Sequence, residues 1–194
     1  LRKDEVLKLL GDSGAILKGH FRLHSGLHSD VYVQSALALQ HPKLAELLCR
    51  EMAAQARGWK PEVVIGPAVG AVVLAYEVAK QLMVRGIYAE RVDGKMTLRR
   101  GFGVRKGERV LIVEDTVTKW GSVKEVAAAV NELGGEVVGS VCMVNRSGGL
   151  EPGFPFKSLA DVDLAAYDPE DCPMCAEGKP VDTPGSSYLR GGDE

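Results

Sequence analysis

Apolar positions along this chain change their period from block to block. Val6, Leu7, Leu9 and Leu10 fall at helical spacing and stop at Gly11, which predicts a first helix over residues 3–11. From Gly19 to Gln34 the pattern loosens into scattered Gly, Ser and His, with a short strand predicted around Val31, Tyr32 and Val33. Pro42 suits the first turn of a helix running to about Arg57, and Gly58 is its natural stop. A regular alternation follows. Glu62–Ile65 reads as a strand ending in Gly66-Pro67, Gly70–Val84 as a helix, and Gly86–Ala89 as a second strand. After the polar stretch Glu90–Glu108 come a strand at Arg109–Val113, an amphipathic helix at Ser122–Leu133 closed by Gly134-Gly135, and a strand at Glu136–Val144. Strand–helix–strand repetition implies an α/β fold, a mostly parallel sheet flanked by helices. Residues 1–194 are expected to form one domain, with about the first 40 residues as a small hood over the sheet. Residues 178–194 are expected to be a poorly ordered tail.

Composition narrows the functional classes. Of 194 residues, 45% are hydrophobic and 26% charged, as in ordinary globular domains. A formal net charge of −2 offers no global basic field for nucleic acid. No apolar run reaches the length of a membrane span, and no basic-then-apolar leader opens the chain, so a cytoplasmic location is the default expectation. Cys49 and Cys142 fall within predicted elements and read as small buried apolar residues. Cys172 and Cys175 form a lone Cys-Pro-Met-Cys in the tail. A zinc site needs two further ligands, and none lies nearby in sequence. The pair therefore reads first as structural or incidental, with a disulfide or a metal shared between subunits as the alternatives.

The richest chemistry lies between Arg109 and Glu125. An apolar strand delivers adjacent carboxylates, Glu114 and Asp115, at the strand end where open α/β sheets bind ligands. Thr116, Val117, Thr118, Lys119, Trp120, Gly121 and Ser122 then lead into a helix. Backbone N–H groups at a helix start, helped by hydroxyls, cradle an anion. The carboxylates can accept hydrogen bonds from a sugar diol, or hold Mg²⁺ directly or through water. An ordinary capped helix following an acidic strand end is the plainer alternative.

Val113–Ser122 resembles the phosphoribosyl diphosphate signature of type I phosphoribosyltransferases: an apolar run, two acids, two apolar-or-Thr positions, Thr, and a Gly-containing loop. The chain departs from that pattern at Lys119 and Trp120, where the family has a small residue or Thr and then Gly. Ala68, Val69, Gly70 and Ala71 match the family's diphosphate loop in position. The stretch from Gly19 to Tyr32 resembles the N-terminal segment of orotate phosphoribosyltransferases in the order of Phe21, Leu23, Ser25, Gly26 and Ser29. His24 stands where some members have Lys. Val144-Asn145-Arg146-Ser147 resembles that family's Asp-Arg, with Asn145 a further departure. The basic stretch Glu90–Arg105 resembles its catalytic loop, although Val92 stands where many members have a second Lys and a later His is absent.

The resemblance implies transfer of phosphoribosyl from 5-phosphoribosyl 1-diphosphate to orotate, assisted by Mg²⁺. It assigns Lys95, Arg91 and Asp115 to catalysis. Glu114 through Ser122 and Ala68 through Ala71 would bind the donor, and Thr118, Arg146, His24 and Tyr32 would bind orotate. Mg²⁺ would be held through ligand and water near Glu114 and Asp115. It also implies a homodimer in which the basic loop reaches the partner's site. Two other readings stay open: transfer to another base, and a non-catalytic regulator that binds the donor.

Overall fold

The computed structural model describes residues 1–23 and 25–184. Helix α1 (Lys3–Asp12) follows the predicted stripe and buries Val6 and Leu10. Strands β1 (Ile16–Arg22) and β2 (His28–Val33) then pair antiparallel as a separate two-stranded sheet. Only β2 was legible beforehand. In β1, Lys18, Gly19 and His20 interrupt the apolar alternation, and the register shifts between Lys18 and Phe21. Helices α2 (Ser35–Leu39) and α3 (Pro42–Ala56) follow, with Pro42 in the first turn of α3 as predicted.

The main sheet uses β3 (Val63–Pro67), β4 (Arg85–Val92), β5 (Lys95–Leu98), β6 (Arg109–Val117), β7 (Glu136–Asn145) and β8 (Phe156–Asp161). Helix α4 (Val72–Leu82) joins β3 to β4, and α5 (Gly121–Glu132) joins β6 to β7. A short α6 (Pro173–Ala176) is the last helix among the described residues. The strand order is β5-β4-β3-β6-β7-β8, parallel throughout except for the antiparallel β4–β5 pair. This is the mixed, mostly parallel α/β sheet that the alternation predicts. The polar stretch after Ala89 is not simply a loop: it folds as the β4–β5 hairpin. Asp93 and Gly94 turn it with φ of 48° and 83°, the positive pair a two-residue hairpin turn demands. Strand β8 had no clear signal among the Pro and Gly residues around it.

Strands β3 and β6 are buried on both faces, which is why they read as unbroken apolar runs. Val64, Leu111 and Val113 face one core, formed with α1, α3 and α4. Val63, Ile65, Val110 and Ile112 face the other, formed with α5 and the β4–β5 hairpin. Each such side chain contributes about 1.5–3 kcal/mol by leaving water. The result is a rigid pair of central strands whose C-terminal ends can hold chemistry in place. Among the described residues no helix is long and apolar enough to cross a membrane.

The C-terminal segment returns to the hood. Tyr167 exchanges backbone hydrogen bonds with His28, and the Asp182 N–H donates to the His20 carbonyl. Residues 178–184, expected to be poorly ordered, thus run against β1. Residues 185–194, the rest of that expected tail, lie outside the described residues.

Glu108 anchors the start of β6. Its carboxylate accepts from the Arg85 and Arg105 guanidinium groups, both at 2.8 Å, and from the Arg105 backbone N–H at 2.9 Å. Burial alone would raise its pKa; the Arg105 N–H and the two guanidinium groups outweigh burial and hold it below the usual 4.5. Because the folded-state pKa is the lower one, this stabilisation is present above about pH 4.5 and fades as pH falls through the folded value. Glu108→Gln should cost about 1–3 kcal/mol at neutral pH. Thermal melts should show the gap to the parent narrowing as the pH drops below 4.5; a gap independent of pH would assign the loss to packing.

Candidate active site

A cavity of about 550 Å³ opens at the C-terminal ends of β3 and β6, beneath the β1–β2 hood. Glu114 and Asp115 sit inside the last part of β6, which runs on to Val117, beyond the predicted end at Val113. The Asp115 N–H donates to the Glu114 carboxylate at 3.2 Å, and the Thr116 N–H donates to Asp115 Oδ1 at 2.6 Å. Burial raises the pKa of Glu114 well above the ordinary carboxylate value, with the neighbouring Asp115 charge adding to it. Burial likewise raises Asp115, opposed by the Thr116 N–H. Two carboxylates that resist ionisation side by side want cationic or hydrogen-bond-donating company.

The loop after them runs through Thr118, Lys119 and Trp120 into α5, and all three border the cavity. Trp120 does not crowd the cradle. It takes the left-handed conformation, φ 62°, and its indole is buried in the core beside α5. There its Nε1–H donates to the Leu150 carbonyl at 2.7 Å and its ring meets Phe156 edge-on at 4.8 Å. The departure from Gly is therefore absorbed by the core, and the backbone still leads into a helix whose first residues, Gly121 and Ser122, line the cavity.

Ala68, Val69 and Gly70 form the opposite wall, between β3 and α4. A Cβ on Gly70 would lie 3.0 Å from Asp115 Oδ2, so only glycine lets this loop sit against the acid pair without displacing it. Ala71 is buried at the start of α4 and does not line the cavity.

Arg146 enters from the end of β7, and its Nη2 donates to Ser29 Oγ of the hood at 3.3 Å. Burial lowers its pKa, partly offset by Asp30. Asn145, the residue before it, donates through Nδ2 to Asp161 Oδ1 at 2.7 Å and accepts from the Ser147 N–H at 3.0 Å. It is turned toward β8 instead of the cavity, where it partners Asp161. Tyr32 lines the hood side, with its ring 5.7 Å from Phe21. Burial raises its hydroxyl pKa, and Asp115 adds to the shift.

Two expected catalytic residues are placed differently from each other. Arg91 lines the cavity, paired with Glu125 at 2.7 Å and donating to the Gly94 carbonyl at 2.6 Å. Lys95 stands exposed on β5 and is not part of the cavity wall. His24 lies outside the described residues. Arg22, Gln34, Glu125, Thr183 and Pro184 also line the cavity, although none was singled out beforehand. Thr183 and Pro184 belong to the stretch that composition marked as tail, where no periodicity signals a contact. The cysteine pair, for which no further ligand lies nearby in sequence, has company in the fold: His20 and His28 are buried, and Cys172 and Cys175 are brought to them. Sequence distance hid this, since ligands from residues 20 and 28 meet others from residues 172 and 175.

A strand-end acid pair, a helix start and a facing glycine turn on a mostly parallel sheet form a pocket of the chemistry that suits a phosphorylated sugar. Residues 35–170 match the family described as "Phosphoribosyl transferase domain", and the chain belongs to that family. The chain is 51% identical over 190 residues to the orotate phosphoribosyltransferase of Pelotomaculum thermopropionicum, covering 97% of this chain and 100% of that one. Its fold is similar to UMP synthase of Leishmania donovani, with TM-score 0.71 and 26% identity over 81% of this chain and 36% of that one. It is also similar to orotate phosphoribosyltransferase from Aeropyrum pernix, with TM-score 0.66 and 25% identity over 80% and 93%. Within the wider family, the chain is thus one of the orotate phosphoribosyltransferases.

The raised acid pair carries its own prediction. A carboxyl whose folded-state pKa is raised holds its proton more tightly when folded, so stability falls as pH rises from the unfolded pKa to the folded one. Glu114→Gln removes that penalty. It should raise the Tm of the ligand-free protein at pH 7–8, by roughly 2–4 °C for each kcal/mol recovered, while weakening donor binding. A lower Tm in this variant would show that Glu114 is satisfied as an anion.

Proposed function

We propose that the protein transfers phosphoribosyl from 5-phosphoribosyl 1-diphosphate to orotate, giving orotidine 5′-monophosphate and diphosphate in pyrimidine nucleotide biosynthesis. The bond from the sugar C1 to the diphosphate oxygen breaks, a bond from C1 to the orotate ring nitrogen forms, and that nitrogen gives up its proton to solvent. The observation that carries the reading is the meeting, in one cavity, of Glu114-Asp115, the 116–122 cradle, the Ala68–Gly70 turn and Arg146 under the hood.

In this reading the cradle holds the 5′-phosphate, and Asp115 with Glu114 accepts from the ribose hydroxyls. Arg146, oriented through Ser29, pairs with the orotate carboxylate, a task that suits a planar guanidinium. Tyr32 and the hood cover the base and exclude water. Thr118 reaches both donor and base. The transition state carries positive charge on the sugar, so positioning and electrostatics do the work.

The donor set fits magnesium: two adjacent carboxylates, and the buried Thr116 hydroxyl, which has no hydrogen-bond partner among the described residues. Held near Glu114, Asp115 and Thr116, Mg²⁺ would supply positive charge to offset the diphosphate and ease its departure. Lys95, exposed away from its own cavity, is assigned to the leaving diphosphate of a partner subunit, which makes the working unit a homodimer. Arg91 flanks the diphosphate within its own subunit.

Purified protein mixed with orotate, donor and Mg²⁺ should consume orotate, read as loss of its ultraviolet absorbance. Lys95→Ala should lower kcat by about 10²–10³, and Arg146→Lys should raise the KM for orotate about tenfold or more. Absence of turnover, with donor binding still seen by calorimetry, would move the assignment to another base or to a regulator. Subunit sharing has a separate test. Mixing inactive Lys95→Ala with inactive Asp115→Asn should restore roughly a quarter of parental activity, since half the dimers then hold one intact site. No recovery after subunit exchange would place Lys95 in its own subunit's site.

A further inference from the structure

The hood holds a second constellation of side chains that the transfer reaction does not use. His20 and His28, on β1 and β2, meet Cys172 and Cys175, on either side of the first turn of α6. The four potential ligand atoms all lie within 4.8 Å of one another, and among the described residues no other group of three or more His, Cys, Asp or Glu side chains converges in this way. His20 Nε2 is 2.9 Å from His28 Nδ1, 3.5 Å from Cys172 Sγ and 3.7 Å from Cys175 Sγ. Cys175 Sγ is 3.3 Å from His28 Nδ1. A tetrahedral ion with bonds of about 2.0–2.1 Å to nitrogen and about 2.3 Å to sulfur separates its ligands by about 3.3–3.8 Å. Three of these four distances fall in that range, and the His–His approach needs only a small outward shift.

The surroundings match the donor set. His20, His28 and Cys172 are buried at 5%, 6% and 2% exposure, and Cys175 closes the group on the solvent side. The second ring nitrogen of His20, Nδ1, lies 2.9 Å from the Lys179 carbonyl. That carbonyl can only accept, so Nδ1 carries the proton and Nε2 turns a lone pair toward the cluster. Two imidazoles and two thiols with no carboxylate are a borderline-soft set, suited to zinc and unsuited to the magnesium of the transfer site. Four protein ligands leave no open position, so the ion would be structural.

We propose that His20, His28, Cys172 and Cys175 bind one tetrahedral zinc ion that clamps the C-terminal segment to the hood. The clamp joins parts of the chain about 150 residues apart. It lies beside Ser29, the residue that holds Arg146. A two-stranded sheet on its own is marginal in water, and a metal tie across it supplies what a small apolar face cannot. The proposal is independent of the transfer reading, since zinc content is measured without substrate.

The test uses the full chain without a histidine tag, purified under reducing conditions. Elemental analysis should find about one zinc per chain after desalting. Replacing the metal with Co²⁺ should produce the visible bands of a tetrahedral site together with thiolate-to-cobalt charge transfer. Removing zinc with a strong chelator should lower the Tm by several degrees, reversibly on adding zinc back. The double variant Cys172→Ser/Cys175→Ser should lose the metal. Should that variant fail to fold, His28→Cys keeps four ligands and should retain the zinc. Folded, reduced protein that neither contains zinc nor takes up Co²⁺ would overturn the proposal. So would zinc that survives loss of both cysteines, or a metal-free protein with a Cys172–Cys175 disulfide seen as two lost hydrogens in the intact mass.

Discussion

Two carboxylates held side by side where water is scarce set the terms for the rest of this structure. Glu114, buried, and Asp115, half-buried, lie near the end of a strand whose centre is buried on both faces, so the backbone holds both carboxylates at the cavity wall. Their raised pKa values follow from that burial, and for Glu114 also from the charge of Asp115. A protein tolerates such a pair when a ligand relieves it, and a sugar diol and a divalent cation are the two chemistries that do so best. The neighbouring features make sense as supports for this pair. The Gly70 turn gives it room, the double core fixes the strand, and the Glu108 clamp holds the strand's other end.

Two departures from the family pattern, at Trp120 and Asn145, are accommodated locally. A tryptophan at the start of α5 looks prohibitive if its ring must share space with a ligand. Trp120 instead uses a left-handed backbone to send its indole into the core, where it finds both an aromatic partner and a carbonyl acceptor. The strain of a non-glycine residue in that region, of order 1 kcal/mol, is offset by burying one of the largest side chains in the protein. Asn145 is similar. Asp161 lies across the strand pair, and a second carboxylate at 145 would face it at 2.7 Å, whereas the amide donates to it.

Legibility followed physical locality. The central strands, α3, α4 and α5 could be read because their apolar periods are local, and the acid pair could be read because strand, carboxylates and helix start are consecutive. The start of β4 was read as a strand, but its extension to Val92 and the pairing with β5 were missed because that stretch is polar and only the Asp93-Gly94 turn marks it. Strand β1 was missed because a register shift and a run of Lys, Gly and His hide its alternation. The cavity's Thr183 and Pro184, and the meeting of residues 20 and 28 with residues 172 and 175, depend on closure of long loops. No windowed pattern carries such information.

That long-range closure also explains how the hood side of the cavity is built. The acid-pair side hangs on two central strands. The hood side, proposed to take the base, is assembled from Tyr32 on the hood, Arg146 after β7 and the segment around residues 165–184, none adjacent in sequence. Ser29 is the junction: its hydroxyl donates to the Ala165 carbonyl at 2.8 Å and accepts from Arg146. Its neighbour His28 exchanges backbone hydrogen bonds with Tyr167 while its ring joins the His–Cys cluster. Whatever fixes that hairpin to the C-terminal segment therefore also fixes the direction of the Arg146 guanidinium. A guanidinium aimed at a planar carboxylate must be set to within a fraction of an ångström to keep both hydrogen bonds. Backbone pairing at the edges of a two-stranded sheet is a weak guarantee of that, and the proposed tie through His20, His28, Cys172 and Cys175 would add to it where the hairpin meets the C-terminal segment.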